Sequence, residues 1–253
     1  HAEAASANGA IIAGYGSRMV NNQNINEALF WTAENGLQGL GDLAGGNFSS
    51  VAWDISADGT VIVGQGTSAS GPEAFRWTAS DGLMHGLGGL TGDTWSFAEA
   101  VSADGAVVVG YSRTEVMAPS KAFRWSATNK EMEALGDLLG GDFYSVAHDV
   151  SADGSIVVGS SKSGLGLEAF LWDEAHQMRN LKKILENDGG LDLTGWLLKE
   201  ATGISADGLT IVGYGTNPAG NTEAWIATTP EPVTLCLLGL GGLALVRKRN
   251  RLS

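Results

Sequence analysis

Cysteine is almost absent from this chain: the single one, Cys236, lies inside an apolar segment near the C-terminus. The preceding 228 residues therefore offer no thiol nucleophile, no disulfide and no cysteine-held metal. That composition is compatible with an oxidising compartment. Basic residues are also scarce, 15 Lys and Arg against 28 Asp and Glu, for a net charge of −13. Four of the 15 (Arg247, Lys248, Arg249, Arg251) follow Val246; without them eleven basic residues face 28 acidic ones, a net −17. Such a body repels nucleic acid and anionic surfaces, so no nucleic-acid partner is expected. The four histidines, His1, His85, His148 and His176, stand in unrelated contexts without metal-ligand spacing. P-loop, dinucleotide-fingerprint and nucleophile-elbow motifs are missing too. Neither metal nor cofactor is expected.

What is abundant is repetition. Ser-Ala-Asp-Gly occurs at residues 56–59, 102–105, 151–154 and 205–208, and Ser-Ala-Asn-Gly at 6–9. The turn residues are Asn8, Asp58, Asp104, Asp153 and Asp207. After each comes a short Val/Ile run ending in Gly, a polar loop, and a Glu-Ala-Phe-x-Trp segment or a variant of it. Trp31, Trp77, Trp125 and Trp172 are spaced by 46, 48 and 47 residues. Asp-Gly between apolar runs is a hairpin signal, because the turn needs residues that accept positive φ. Each unit reads as four short strands. In the third strand, Phe75 and Trp77 share one face while Ala74 and the stem of Arg76 share the other. A sheet buried on both faces and repeated every 47 residues or so predicts an all-β repeat protein, a β-propeller of four-stranded blades with about five repeats. A β-solenoid is the alternative. The fifth unit is longer, with helical spacing of Leu181, Ile184 and Leu185 between Asn180 and Asp188. It predicts a short helix there, Trp225 in the Phe position, and no fourth strand before Pro230.

The repeats resemble the HAF family of extracellular repeats over residues 1 to 228. That resemblance implies a surface or secreted location and carries no activity. No charged and apolar leader precedes His1, so the expectation is that a signal peptide has been removed or that upstream sequence is missing.

Residues 229–253 form a separate segment. Pro230-Glu231-Pro232 is followed by an uncharged run of 14 residues, Val233 to Val246, and then by Arg247, Lys248, Arg249 and Arg251. As an apolar helix the run reaches roughly 21 Å, short of a hydrocarbon core of about 30 Å. The basic cluster is the part that stays cytoplasmic. This order of features resembles the PEP-CTERM sorting signal of Gram-negative bacteria. The resemblance implies transient anchoring in the inner membrane, cleavage by an exosortase near Pro230-Glu231-Pro232, and release to the cell surface or extracellular matrix.

One Asp per turn, followed by Gly and an apolar strand, is turn chemistry and falls short of the six to eight oxygens of a calcium loop. The repeated acids Glu27, Glu73, Glu168 and Glu223, interrupted by Lys121, could form a carboxylate ring near the axis; solvated strand starts suit them better. Two functions follow. One is a non-catalytic surface module binding extracellular polysaccharide or another surface component. The other is a polysaccharide-acting enzyme, which needs unrepeated acids such as Asp93, Glu99, Glu115 and Asp142 to converge at one mouth of a central channel.

Overall fold

The computed structural model describes residues 1–229 apart from residue 21. Pro230-Glu231-Pro232, the expected apolar helix over 233–246 and the basic cluster lie outside the described residues. Among those described, no helix is long and apolar enough to cross a membrane.

The chain is built of successive antiparallel sheets, each a meander of consecutive strands. Blade 1 holds β1 (Ala2–Ala5), β2 (Ile11–Val20), β3 (Gln23–Thr32) and β4 (Gly36–Gly41). Blade 2 holds β5 (Val51–Ile55), β6 (Val61–Ser68), β7 (Gly71–Thr78) and β8 (Leu83–Gly86). Blade 3 holds β9 (Trp95–Val101), β10 (Val107–Arg113), β11 (Lys121–Ser126) and β12 (Glu131–Ala134). Blade 4 holds β13 (Gly140–Val150), β14 (Ile156–Ser163), β15 (Gly166–Asp173) and β16 (Gln177–Asn180). The helix α1 (Leu181–Asn187) follows, then blade 5 with β17 (Leu197–Ile204), β18 (Thr210–Thr216) and β19 (Thr222–Thr228). The expected missing strand is indeed missing from blade 5 among the described residues. Every sheet ladder stays within one unit, whereas the solenoid alternative would pair strands between successive turns. First strands of neighbouring blades lie side by side, β1 with β5, β5 with β9, β9 with β13 and β13 with β17. They form the inner wall of a propeller arc.

The Ser-Ala-Asp-Gly turn explains itself atom by atom. Ser56 Oγ donates to Asp58 Oδ1 at 2.7 Å and accepts the Val61 N–H at 3.0 Å. Asp58 Oδ1 accepts the Thr60 N–H at 2.9 Å. Gly59 closes the turn at φ +77°, where a Cβ would be strained. Asn8 does the same work in blade 1, accepting from Ser6 Oγ and the Ala10 N–H. The serine matters as much as the acid. Ser56 is fully buried, and Ser56→Ala leaves the Val61 N–H without an acceptor, an expected loss of about 1–3 kcal/mol. Urea denaturation checks this, and an unchanged midpoint would refute the account of the turn.

Blades pack as the alternation in the third strand demands. Phe75 and Trp77 join Ala13, Ala28 and Ile62 in a core shared with blade 1. Ala74 turns the other way, into a core with Val108, Phe123 and Trp125 of blade 3. The Arg76 guanidinium lies 6.0 Å from the Trp125 ring, and its Nε donates to the Gly105 carbonyl. Arg124 repeats both contacts with Trp172 and Gly154. Buried serines tie the blades a second way. Ser145 Oγ in blade 4 accepts the Ala122 N–H of blade 3 and donates to the Gly136 carbonyl. Ser50 and Ser96 serve blades 1 and 2 in the same manner.

The helix falls where its pattern puts it. Asn180 caps α1 by accepting the Lys183 N–H, and Leu181, Ile184 and Leu185 are buried against blades 4 and 5. Trp225 pairs with Gly213 as Phe75 pairs with Gly64, so it does take the Phe position. None of the face-to-face packing joins blade 5 to blade 1 among the described residues. Ile226 is accordingly 73 % exposed.

Candidate functional site

The repeated acids are occupied by structure. Asp58, Asp104, Asp153 and Asp207 each accept from the serine of their own turn, which holds their carboxyls below the usual range. The acids of the Glu-Ala-Phe segment sit on third strands, two strands out from the inner wall, so they form no ring at the axis. Glu73 accepts the Gly88 N–H, Glu168 is buried against Ser163, and Glu223 accepts from Asn217 Nδ2.

The four unrepeated acids part company as well. Asp93 is fully enclosed, bound to Lys121 Nζ at 2.8 Å and accepting from Ser112. Glu115 and Asp142 are exposed on loop and strand-end positions. Only Glu99 faces the inner wall, and no hydrogen bond or ion pair joins any two of the four among the described residues.

Sequence reasoning passed over the inner wall itself. Each first strand carries a bulge at the same repeat position, where the register with the second strand slips. The bulged residues are Glu3, Trp53, Glu99, His148 and Thr202. A bulge re-aims its side chain, here away from the sheet ladder. Four residue types across the five blades at one position, each directly after an Ala, were the available signal: variation confined to a fixed geometry marks a lining, whereas turn and core positions are held alike.

Beside these positions, across blades 3 to 5, polar and aromatic side chains gather into a cluster. Phe97 stacks on Tyr111 at 4.7 Å. The Arg113 guanidinium sits 5.0 Å from the Phe97 ring, 5.6 Å from Trp95 and 5.8 Å from Tyr111. Its Nε is buried with no hydrogen-bond partner among the described residues. Lys162 Nζ lies 5.5 Å from the Tyr144 ring. His148 Nε2 is 3.2 Å from Ser160 Oγ and 3.6 Å from a Glu200 carboxylate oxygen. His148 and Asp149, adjacent in sequence, find different partners on β17: His148 meets Glu200, and Asp149 accepts the Ile204 N–H.

Burial and neighbouring charge set the ionisation of this cluster. Burial raises the Glu99 carboxyl above its ordinary value and depresses the His148 imidazolium. Burial, then the Glu99 charge, raises the Tyr111 phenol; burial, then Glu200, raises Tyr144. A hydrogen bond to Glu200 pushes the Tyr214 phenol up to about 12. The tyrosines are therefore neutral donors throughout the physiological range. Among the described residues no group of His, Cys, Asp and Glu side chains is arranged to hold a metal.

A second cleft of about 450 Å³ lies beside α1, lined by Leu139, Leu165, Glu168, Arg179 and Lys183 among others. Within it Glu168 accepts from Ser163 Oγ and Arg179 pairs with Asp173.

Comparison with known proteins bears on the fold. TolB from Acinetobacter baumannii matches 90% of this chain at 14% identity and a TM-score of 0.55; the chain spans about half, 54%, of that protein. The β-propeller domain of the Trilobed protease from Pyrococcus furiosus, described as having an open velcro topology, matches 90% of the chain at 10% identity and a TM-score of 0.57. A putative TolB from Agrobacterium tumefaciens matches 89% at 16% identity and 0.51. The fold is a β-propeller. No family model and no curated protein matches the chain.

Proposed function

We propose that this protein is an exported, exosortase-sorted repeat protein of the cell surface or extracellular matrix, and that its propeller is a non-catalytic module binding neutral polysaccharide. The polar and aromatic cluster over blades 3 to 5, read as a binding groove, carries the binding half of this reading. Tyr111, Tyr144 and Tyr214 offer aromatic rings and neutral hydroxyls beside Glu99, Glu200 and Arg113. Aromatic faces cover the C–H surfaces of a sugar ring, and flanking carboxylates and donors take its hydroxyls. An acidic body with few free cations disfavours acidic polymers. The sorting half rests on the ordered Pro230-Glu231-Pro232, apolar run and basic cluster.

The test is co-expression with an exosortase in a Gram-negative host, followed by calorimetry on the released protein. The mature chain is expected to lack the basic cluster by mass spectrometry and to bind a neutral exopolysaccharide. Tyr111→Ala and Tyr214→Ala are each expected to weaken binding roughly 5- to 30-fold with little change in unfolding midpoint. No binding across a panel of neutral polysaccharides, or equal affinity in both variants, would overturn the groove. An uncut chain would overturn the sorting signal and leave the groove reading standing.

A further inference from the structure

The blades are joined in pairs by two buried carboxylates. Asp54 of blade 2 accepts the N–H of its neighbour Ile55 at 2.8 Å and that of Val101, in blade 3, at 2.8 Å. Asp149 of blade 4 repeats this with Val150 at 2.8 Å and Ile204, in blade 5, at 2.7 Å. The four N–H groups stand at one repeat position, just before the turn serine. They point away from their own sheet, since the following serine N–H is the one that bonds back to the second strand. Leading blades carry Asp; following blades carry a small residue, Ala100 or Gly203, because the carboxylate arrives from the blade before.

Blade 1 has the form of a following blade. Ala4 stands in the Asp position, and the Ala5 N–H, at the position of the Ile55 and Val101 amides, has no carboxylate beside it among the described residues. Three other features lapse at the same face. The Ala N–H of each turn donates to the Ala carbonyl of the next, Ala7 to Ala57, Ala57 to Ala103, Ala103 to Ala152 and Ala152 to Ala206. The Ala7 carbonyl receives no such bond among the described residues. The glycines Gly59, Gly105, Gly154 and Gly208 each pack on an Ile or Val of the blade before, while Gly9 faces open space. Trp31 is 39 % exposed where Trp77, Trp125 and Trp172 are buried.

We propose that this face of blade 1 is the seat of a further blade of the same repeat, one carrying aspartate at the Asp54 position. Its carboxylate accepts the Ala5 N–H, its turn alanine donates to the Ala7 carbonyl, its Ile or Val covers Gly9, and its second and third strands cover Trp31 and Leu37. Neither closure by blade 5 nor a second copy docking head to tail meets this chemistry, because blade 5 offers Gly203 where the carboxylate must stand. Pairing through carboxylates gives the completed ring an even number of blades.

The experiment places a copy of residues 51–96, which includes Asp54, directly ahead of His1. The register is set by the alignment of His1–Gly9 with Phe97–Gly105. Hydrogen exchange of the Ala5 amide is expected to slow at least about tenfold, and quenching of Trp31 fluorescence by acrylamide is expected to fall. Asp→Ala in the added copy is expected to leave Trp31 covered and to restore fast exchange at Ala5. An added segment that stays unfolded, unchanged exchange at Ala5, or protection that survives Asp→Ala would overturn the proposal. So would concentration-dependent burial of Trp31 in the unextended chain, which would make a second copy the occupant.

Discussion

Trp125→Ala is expected to cost about 3–5 kcal/mol of stability, and Trp31→Ala, at the same repeat position, only about 1–2 kcal/mol. Both tryptophans close the third strand of a blade and share a face with the preceding large apolar residue. Trp125 is 6 % exposed, packed among Val61, Val63 and Ala74 of blade 2, with the Arg76 guanidinium over its ring. Its removal opens a cavity at an interface with blades on both sides. Trp31 has no blade on that face and already meets solvent. In a repeat array, stability is close to a sum of unit and nearest-neighbour terms, so an interior interface weighs more than a terminal one. Urea denaturation followed by far-UV dichroism measures both. Equal losses would show that burial at the blade interface is not what the repeat tryptophan supplies.

Asp54 leads to the second expected result, in pH. Burial between blades raises its carboxyl from 3.8 to about 6, ahead of the opposing hydrogen bonds from Val101 and Ile55. Between those two values the folded chain holds a proton that the unfolded chain has lost, so stability falls as pH rises through the window. The charged form is penalised in full above about pH 6, and the penalty is relieved toward pH 4. Asp54→Asn removes this titration and leaves the rest of the acid profile in place. The stability of the wild type relative to Asp54→Asn is therefore expected to rise by about 2 kcal/mol between pH 7 and pH 4. A flat difference, or one of opposite sign, would mean that the carboxylate is solvated and not held as described. Asp149, also raised by burial, is expected to behave alike.

Period and alternation made the fold legible. The Asp-Gly turns, the two-faced third strand and the short helix with Leu181, Ile184 and Leu185 were all readable because each is local: the residues that decide them lie within a few positions of one another. The inner wall was not readable in that way. Glu99, His148, Glu200 and Tyr214 come from three blades and two strand positions, far apart in sequence, and bulges at a shared position turn Glu99 and His148 out of their ladders. Asp54 was equally opaque, since Asp-Ile before Ser-Ala-Asp-Gly reads as a polar strand end until the Val101 N–H is found beside it. The buried serines Ser50, Ser96 and Ser145 look like loop residues in sequence and prove to be bolts between blades.

The meander within each blade has a consequence for how the chain is made. Every strand pairs with its immediate neighbour in sequence, so the separation between pairing residues stays short throughout. Low separation of this kind speeds folding, because little loop entropy must be spent before contacts form. A chain emerging N-terminus first can complete one blade, set its turn serine and aspartate, and lay the next blade on it without waiting for a distant strand. Assembly is then vectorial, one blade at a time.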